Sequence, residues 1–146
     1  MLATLAIALL ALAIAVMGWF GSVHNPSFSS QQTADAKTNV CGAYQTARQA
    51  VVINTHLENP RGNDPVGTLA VAANARLALL GGGAYLRERL DEQPATPADL
   101  ANAVKAMTTI IEQLGINYLA GASSNLQDPL RINLDKTITA INKLCE

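Results

Sequence analysis

Cys41 and Cys145 are the only cysteines in the chain, and they stand at opposite ends of its C-terminal region, so a fold that pairs them must bring those ends together. Such placement points to a pair rather than to two unrelated thiols, and a pair implies an oxidising compartment. Geometry sets the condition: the two Cα atoms must lie about 4.4 to 6.8 Å apart. Closing a loop of about 100 residues then contributes up to roughly 4 to 5 kcal/mol in the chain-entropy account. The alternative is two buried free thiols in a cytosolic bundle.

An uncharged run, MLATLAIALLALAIAVMGWF, covers residues 1–20. As a helix it would reach about 30 Å, the hydrocarbon thickness of a bilayer. A secretory signal would instead show a basic start and a shorter apolar core ending in a small-x-small site. Ala13-Ile14-Ala15 fits that site, but the first basic residue is Lys37. Trp19 and Phe20 also sit where aromatic rings favour the headgroup level of a retained span. A retained anchor in the lipid bilayer is therefore favoured over a cleaved signal, and the missing basic flank leaves open a start upstream of Met1. Thr4, Ala8, Ala11, Ala15, Gly18 and Ser22 recur at helical steps, and this small-residue face would let a second transmembrane helix approach closely. An alanine-rich run also generates such a face by chance.

Residues 21–39, GSVHNPSFSSQQTADAKTN, carry no apolar period and read as a flexible, solvated spacer. From residue 40 to 146 apolar residues recur at helical spacing. The first helix is expected from about Thr38 or Asn39 to Leu57, with Val40, Tyr44, Ala47 and Val51 on one face. Asp64 then caps a second helix that opens on Pro65. Val66, Leu69, Ala73, Leu77 and Leu80 form its expected buried stripe. Gly81-Gly82-Gly83 weakens it by roughly 1 kcal/mol per glycine relative to alanine, so a break is expected there, with a short helix resuming at AYLRERLDE and turning Tyr85, Leu86 and Leu90 inward. Thr96 and Pro97 start a third helix whose stripe, Leu100, Val104, Met107, Ile111 and Leu114, is the cleanest in the chain. It ends at Gly115 or runs on towards Gly121. Asp128-Pro129 repeats the start signal for a fourth helix carrying Leu130, Leu134, Ile138, Ile141 and Cys145. The expected fold is all-α: an N-terminal transmembrane helix, a polar linker, and an antiparallel up-down four-helix bundle with a glycine-broken second helix. In that topology the first helix begins where the last one ends, which agrees with a Cys41–Cys145 disulfide.

Composition and motifs exclude most chemistry. Ten Lys and Arg stand against eleven Asp and Glu, for a net charge of −1, which leaves no basic footprint for nucleic acid. The two histidines, His24 and His56, have no second ligand at metal spacing, so neither a metal nor a cofactor is expected. GASSN around Ser123 and Ser124 is not a nucleophile elbow, and the glycine triplet follows a helix rather than the strand a phosphate loop needs. A hinge or close packing is the better reading of those glycines. Asp64, Asp99 and Asp128 stand at expected helix starts, where a carboxylate complements the helix dipole. No enzyme is expected. The polar loop with Asn59, Arg61 and Asn63, together with the glycine break, offers a partner room to dock without disturbing the core.

CGAYQTARQAVVINTH, DPVGTLAVAANARLALLGGGAYLRERL and the closing LCE, behind an alanine-rich anchor, resemble a group of small actinobacterial single-pass membrane proteins rich in alanine. The resemblance implies an envelope location and a paired-cysteine helical domain, and it implies no activity. The expected function is thus a membrane-anchored, extracytoplasmic interaction module, accessory to a cell-envelope assembly and bound to an envelope or membrane protein. A ligand- or lipid-sensing bundle, with a cavity opened by the glycine break, is the alternative.

Overall fold

The computed structural model describes residues 27–60, 62 and 64–146. The expected transmembrane segment and its small-residue face Ala8, Ala11, Ala15 and Gly18 lie outside the described residues, as do Arg61 and Asn63. Four helices follow one another: α1 (Ser30–Thr55), α2 (Pro65–Asp91), α3 (Ala98–Leu119) and α4 (Ser124–Cys145), with no strand among the described residues. Each packs chiefly on its neighbours in the chain, and α1 meets α4 far less. That limited meeting is where the disulfide forms: Cys41 and Cys145 are bonded, with Cα atoms 5.7 Å apart.

The core is built on α3. Leu100, Val104, Met107, Ile111 and Leu114 are all buried, as a one-sided period predicts. The helix runs on past Gly115 and stops at Gly121, whose φ of 64° suits glycine. There the Ala122 N–H donates to the Asn117 carbonyl at 2.9 Å, satisfying one of the last carbonyls. Tyr44 of α1 closes the opposite side, its phenol donating to Asn142 Oδ1 at 2.7 Å. Burial pushes that phenol above the usual tyrosine range, and the Arg48 charge opposes the shift. A raised folded-state pKa stabilises the fold fully below the ordinary value near about 10, and that contribution is lost as pH rises towards the folded value. Tyr44→Phe is expected to cost about 1 kcal/mol at neutral pH and to flatten the alkaline fall in stability, both read from urea titrations across pH.

Three helix starts differ from the sequence expectation. α1 begins at Ser30 rather than near Thr38, so the second half of the expected spacer is helical. The cause is a capping box: Ser29 Oγ accepts from the Gln32 N–H, and Gln32 Oε1 accepts from the Ser29 N–H. Ala36 is buried and Asn39 reaches Gln93, so these early turns also rest on the α2–α3 turn. The start of α4 is Ser124, with Pro129 inside the helix, not at its first position. The ring sits in the second turn, where its missing N–H deprives only the Asn125 carbonyl. Thr96 does not cap α3 either; it donates to Gln93, and Pro97 occupies the cap position.

The expected break in α2 is absent, and the helix runs unbroken through Gly81-Gly82-Gly83. Tertiary packing outweighs the propensity cost. A Cβ on Gly82 would touch Val51 of α1, and one on Gly83 would collide with Glu112 of α3. Gly115 of α3 meets α2 in the same way, a Cβ there lying 2.8 Å from Leu80 Cγ. These glycines let three helices approach closely. Gly81 faces open space, so Gly81→Ala should stabilise the fold by about 0.5 to 1 kcal/mol, seen as a higher urea midpoint.

Candidate functional site

The largest departure from the sequence expectation concerns which side of α2 is buried. Leu79, Gly82 and Gly83 face the core together with Leu86 and Leu90, which were expected inward, while Val66, Leu69 and Leu77 of the expected stripe are 71, 65 and 70 % exposed and Tyr85, also expected inward, lies at the surface. Ala73 is exposed too, and Leu80 is half-buried. The physical reason is that α2 is apolar all round, so its period cannot select an inner side. With residues about 100° apart on a helix, Val66, Ala73, Leu77 and Ala84 share the centre of the outer face, flanked by Leu69, Ala70 and Gly81. From Pro65 to Leu86 the only charged residue is Arg76. The outer face is thus an uncharged strip about 27 Å long at 1.5 Å per residue.

α2 is the one helix among the described residues long and apolar enough to cross a membrane. Its inner side is committed to the core, and its outer side is not covered by the described residues.

A second feature arises because α1 and α4 diverge away from the disulfide. A cleft of about 410 Å³ opens between them, floored by Val51, Leu79, Leu114 and Leu134 and rimmed by Thr55, His56, Tyr118, Arg131 and Asp135. A smaller one of about 250 Å³ adjoins it across Thr55 and Tyr118 and includes Arg76. Arg131 is held in place: its guanidinium donates to Asp128 Oδ1 and the Tyr118 hydroxyl at 2.8 Å each and to Gln127 Oε1 at 2.9 Å. The hydroxyl as acceptor favours the charged guanidinium, whose Cζ lies 5.8 Å from the centre of the Tyr118 ring. The cleft could hold a small amphiphile with its polar end towards Arg131. It lies at the open seam and not at the glycines, where the cavity of the ligand-sensing alternative was expected.

The other sequence-marked residues have structural roles. Asn59 braces the α1–α2 loop, its amide donating to the Asp64 carbonyl at 2.9 Å and to Thr68 Oγ1 at 3.2 Å. Asp64 caps α2 through the Gly67 N–H at 2.7 Å, and Asp99 accepts from the Leu100 N–H at 2.8 Å. Asp128, expected at a helix start, instead pairs with Arg131 inside α4. His56 ends α1, its Nδ1 2.9 Å from the Val52 carbonyl. Among the described residues no three His, Cys, Asp or Glu side chains converge for a metal. Tyr118 and Arg131 were not marked by the sequence. Only the Gln127, Asp128 and Arg131 spacing on one helix face hinted that the guanidinium would be fixed.

Comparison with protein-family models, curated proteins and solved structures returns no match.

Proposed function

We propose that the protein is a membrane-tethered, extracytoplasmic helical docking module that binds through the outer face of α2. The observation that carries this reading is the uncharged outer strip with Val66, Leu69 and Leu77 each about two thirds exposed. The disulfide fits an oxidising compartment, and the apolar run at residues 1–20 fits a tether in an envelope membrane. In this reading the bundle presents the surface and performs no chemistry. Val66 to Leu77 lie near the end of α1, a helix of 26 residues whose start faces the tether. At 1.5 Å per residue the apolar strip therefore reaches well beyond the headgroups when the domain stands upright.

The double variant Leu69→Gln, Leu77→Gln tests the reading in the full chain. Both side chains are exposed, so the melting temperature should stay within about 3 °C of the parent. Complexes that the parent forms in native membranes, resolved on native gels after mild solubilisation, should disappear. Complexes that persist unchanged would remove α2 from the function.

The α1–α4 cleft favours a second reading, a bundle that binds a small amphiphile. Native mass spectrometry of the full chain should then show a lipid-sized adduct that Arg131→Ala removes, and a bare chain would exclude it.

A further inference from the structure

Resting on the amphiphile-binding reading above and adding the class of head group, we infer that the α1–α4 cleft selects a zwitterion with an apolar tail, an α-amino acid of apolar side chain being the compact case. One guanidinium and one carboxylate line the cleft, those of Arg131 and Asp135. They stand at i and i+4 on α4, the spacing at which an arginine and a carboxylate ordinarily pair on a helix. Here they do not. Arg131 is drawn to Asp128, Gln127 and the Tyr118 hydroxyl, and the Asp135 carboxylate has neither an ion pair nor a hydrogen bond among the described residues. A ligand in the cleft therefore meets one positive and one negative group about one helical turn apart. A plain anion suits Arg131 and is repelled by Asp135, and a plain cation meets the reverse. Only a head bearing both signs is matched at both ends.

The anionic end has donors to spare. Beyond the bonds it makes, the Arg131 guanidinium keeps its Nε–H and one Nη1–H, and the Tyr118 hydroxyl, an acceptor from Arg131, keeps its own O–H to donate. A ligand carboxylate can take these without breaking the contacts that hold the guanidinium. Its ammonium then lies towards Asp135, and its tail on the floor of Val51, Leu79, Leu114 and Leu134. Volume sets the size: at about 30 Å³ for each water-sized group, the cleft of about 410 Å³ takes roughly 14 non-hydrogen atoms. An α-amino acid head leaves most of these to the apolar part. A phosphoethanolamine head, which carries the same two charges on a lipid, consumes about half. Because the floor is entirely aliphatic, the compact head is the better match.

Methyl NMR of the full chain in lipid nanodiscs tests this, with α-aminooctanoic acid, octanoic acid, octylamine and octyl phosphoethanolamine compared at matched free concentrations. The amino acid should move the methyl signals of Val51, Leu79, Leu114 and Leu134 saturably, with a Kd about tenfold below those of octanoic acid and octylamine. Asp135→Asn removes a charge from an exposed side chain that has no partner to lose, so the fold should persist. In that variant the amino acid should bind within about twofold of octanoic acid. Equal Kd values for the amino acid, octanoic acid and octylamine, tighter binding of either single-charge probe, or a preference that survives Asp135→Asn overturns the zwitterion inference and leaves the amphiphile reading standing. Tightest binding of octyl phosphoethanolamine assigns the cleft to a lipid head and overturns the amino-acid case. No saturable shift at these methyls with any probe overturns both.

Discussion

Replacing Cys41 and Cys145 together with alanine is expected to lower the stability of the domain by about 2 to 5 kcal/mol, with the loss appearing first in α4. The bond joins the one pair of helices that otherwise hold each other through little more than Tyr44, Ile138 and Asn142. Without it α4 retains α3 as its main support, and α1 retains α2. Denaturation in urea under oxidising conditions gives the total, and native-state hydrogen exchange gives its distribution. Amides of α4 should lose protection by a larger factor than those at the α2–α3 contact. Equal loss in all four helices would show that the bond acts only on the unfolded chain.

Ile111→Ala should be the most damaging single truncation, at about 2 to 5 kcal/mol, with Ile111→Val costing about 0.5 to 1.5. Ile111 is fully buried on α3, and its Cδ1 reaches the space above Gly82 where α2 passes closest. Glycines have no side chains with which to refill the void, so the site cannot collapse easily. Melting curves check this, since each kcal/mol lowers the midpoint by roughly 4 to 8 °C in a domain of this size. A loss below about 1 kcal/mol for the alanine variant would mean that the contact at the glycines is loose.

Legibility in the sequence followed one-sidedness. The stripe of α3 was readable because Leu100 to Leu114 alternates with polar positions, so period and burial agree. α2 carries apolar residues on every side, and the same rule chose Val66, Leu69 and Leu77, which lie outside. Its true inner face depends on Gly82 and Gly83, which carry no hydrophobic signal and read locally as helix breakers. The Ser29 and Gln32 box was present in the letters, but it precedes a polar turn with no apolar period to draw attention to it. The cleft was not legible, because it arises where two helices far apart in the chain fail to meet. The disulfide was legible because chain topology and cysteine position make the same demand.

The cross-link has a mechanical consequence whenever the domain is pulled by its N-terminal end. Tension applied between that end and a grip on Glu146 enters α1, reaches Cys41, and passes directly through sulfur to Cys145. Among the helical residues, only the turns from Ser30 to Val40 carry the load in peptide bonds, each residue lengthening by about 2 Å as it uncoils. Everything between the cysteines is bypassed, so the bundle and the outer strip of α2 keep their shape while the stem stretches to a fixed stop.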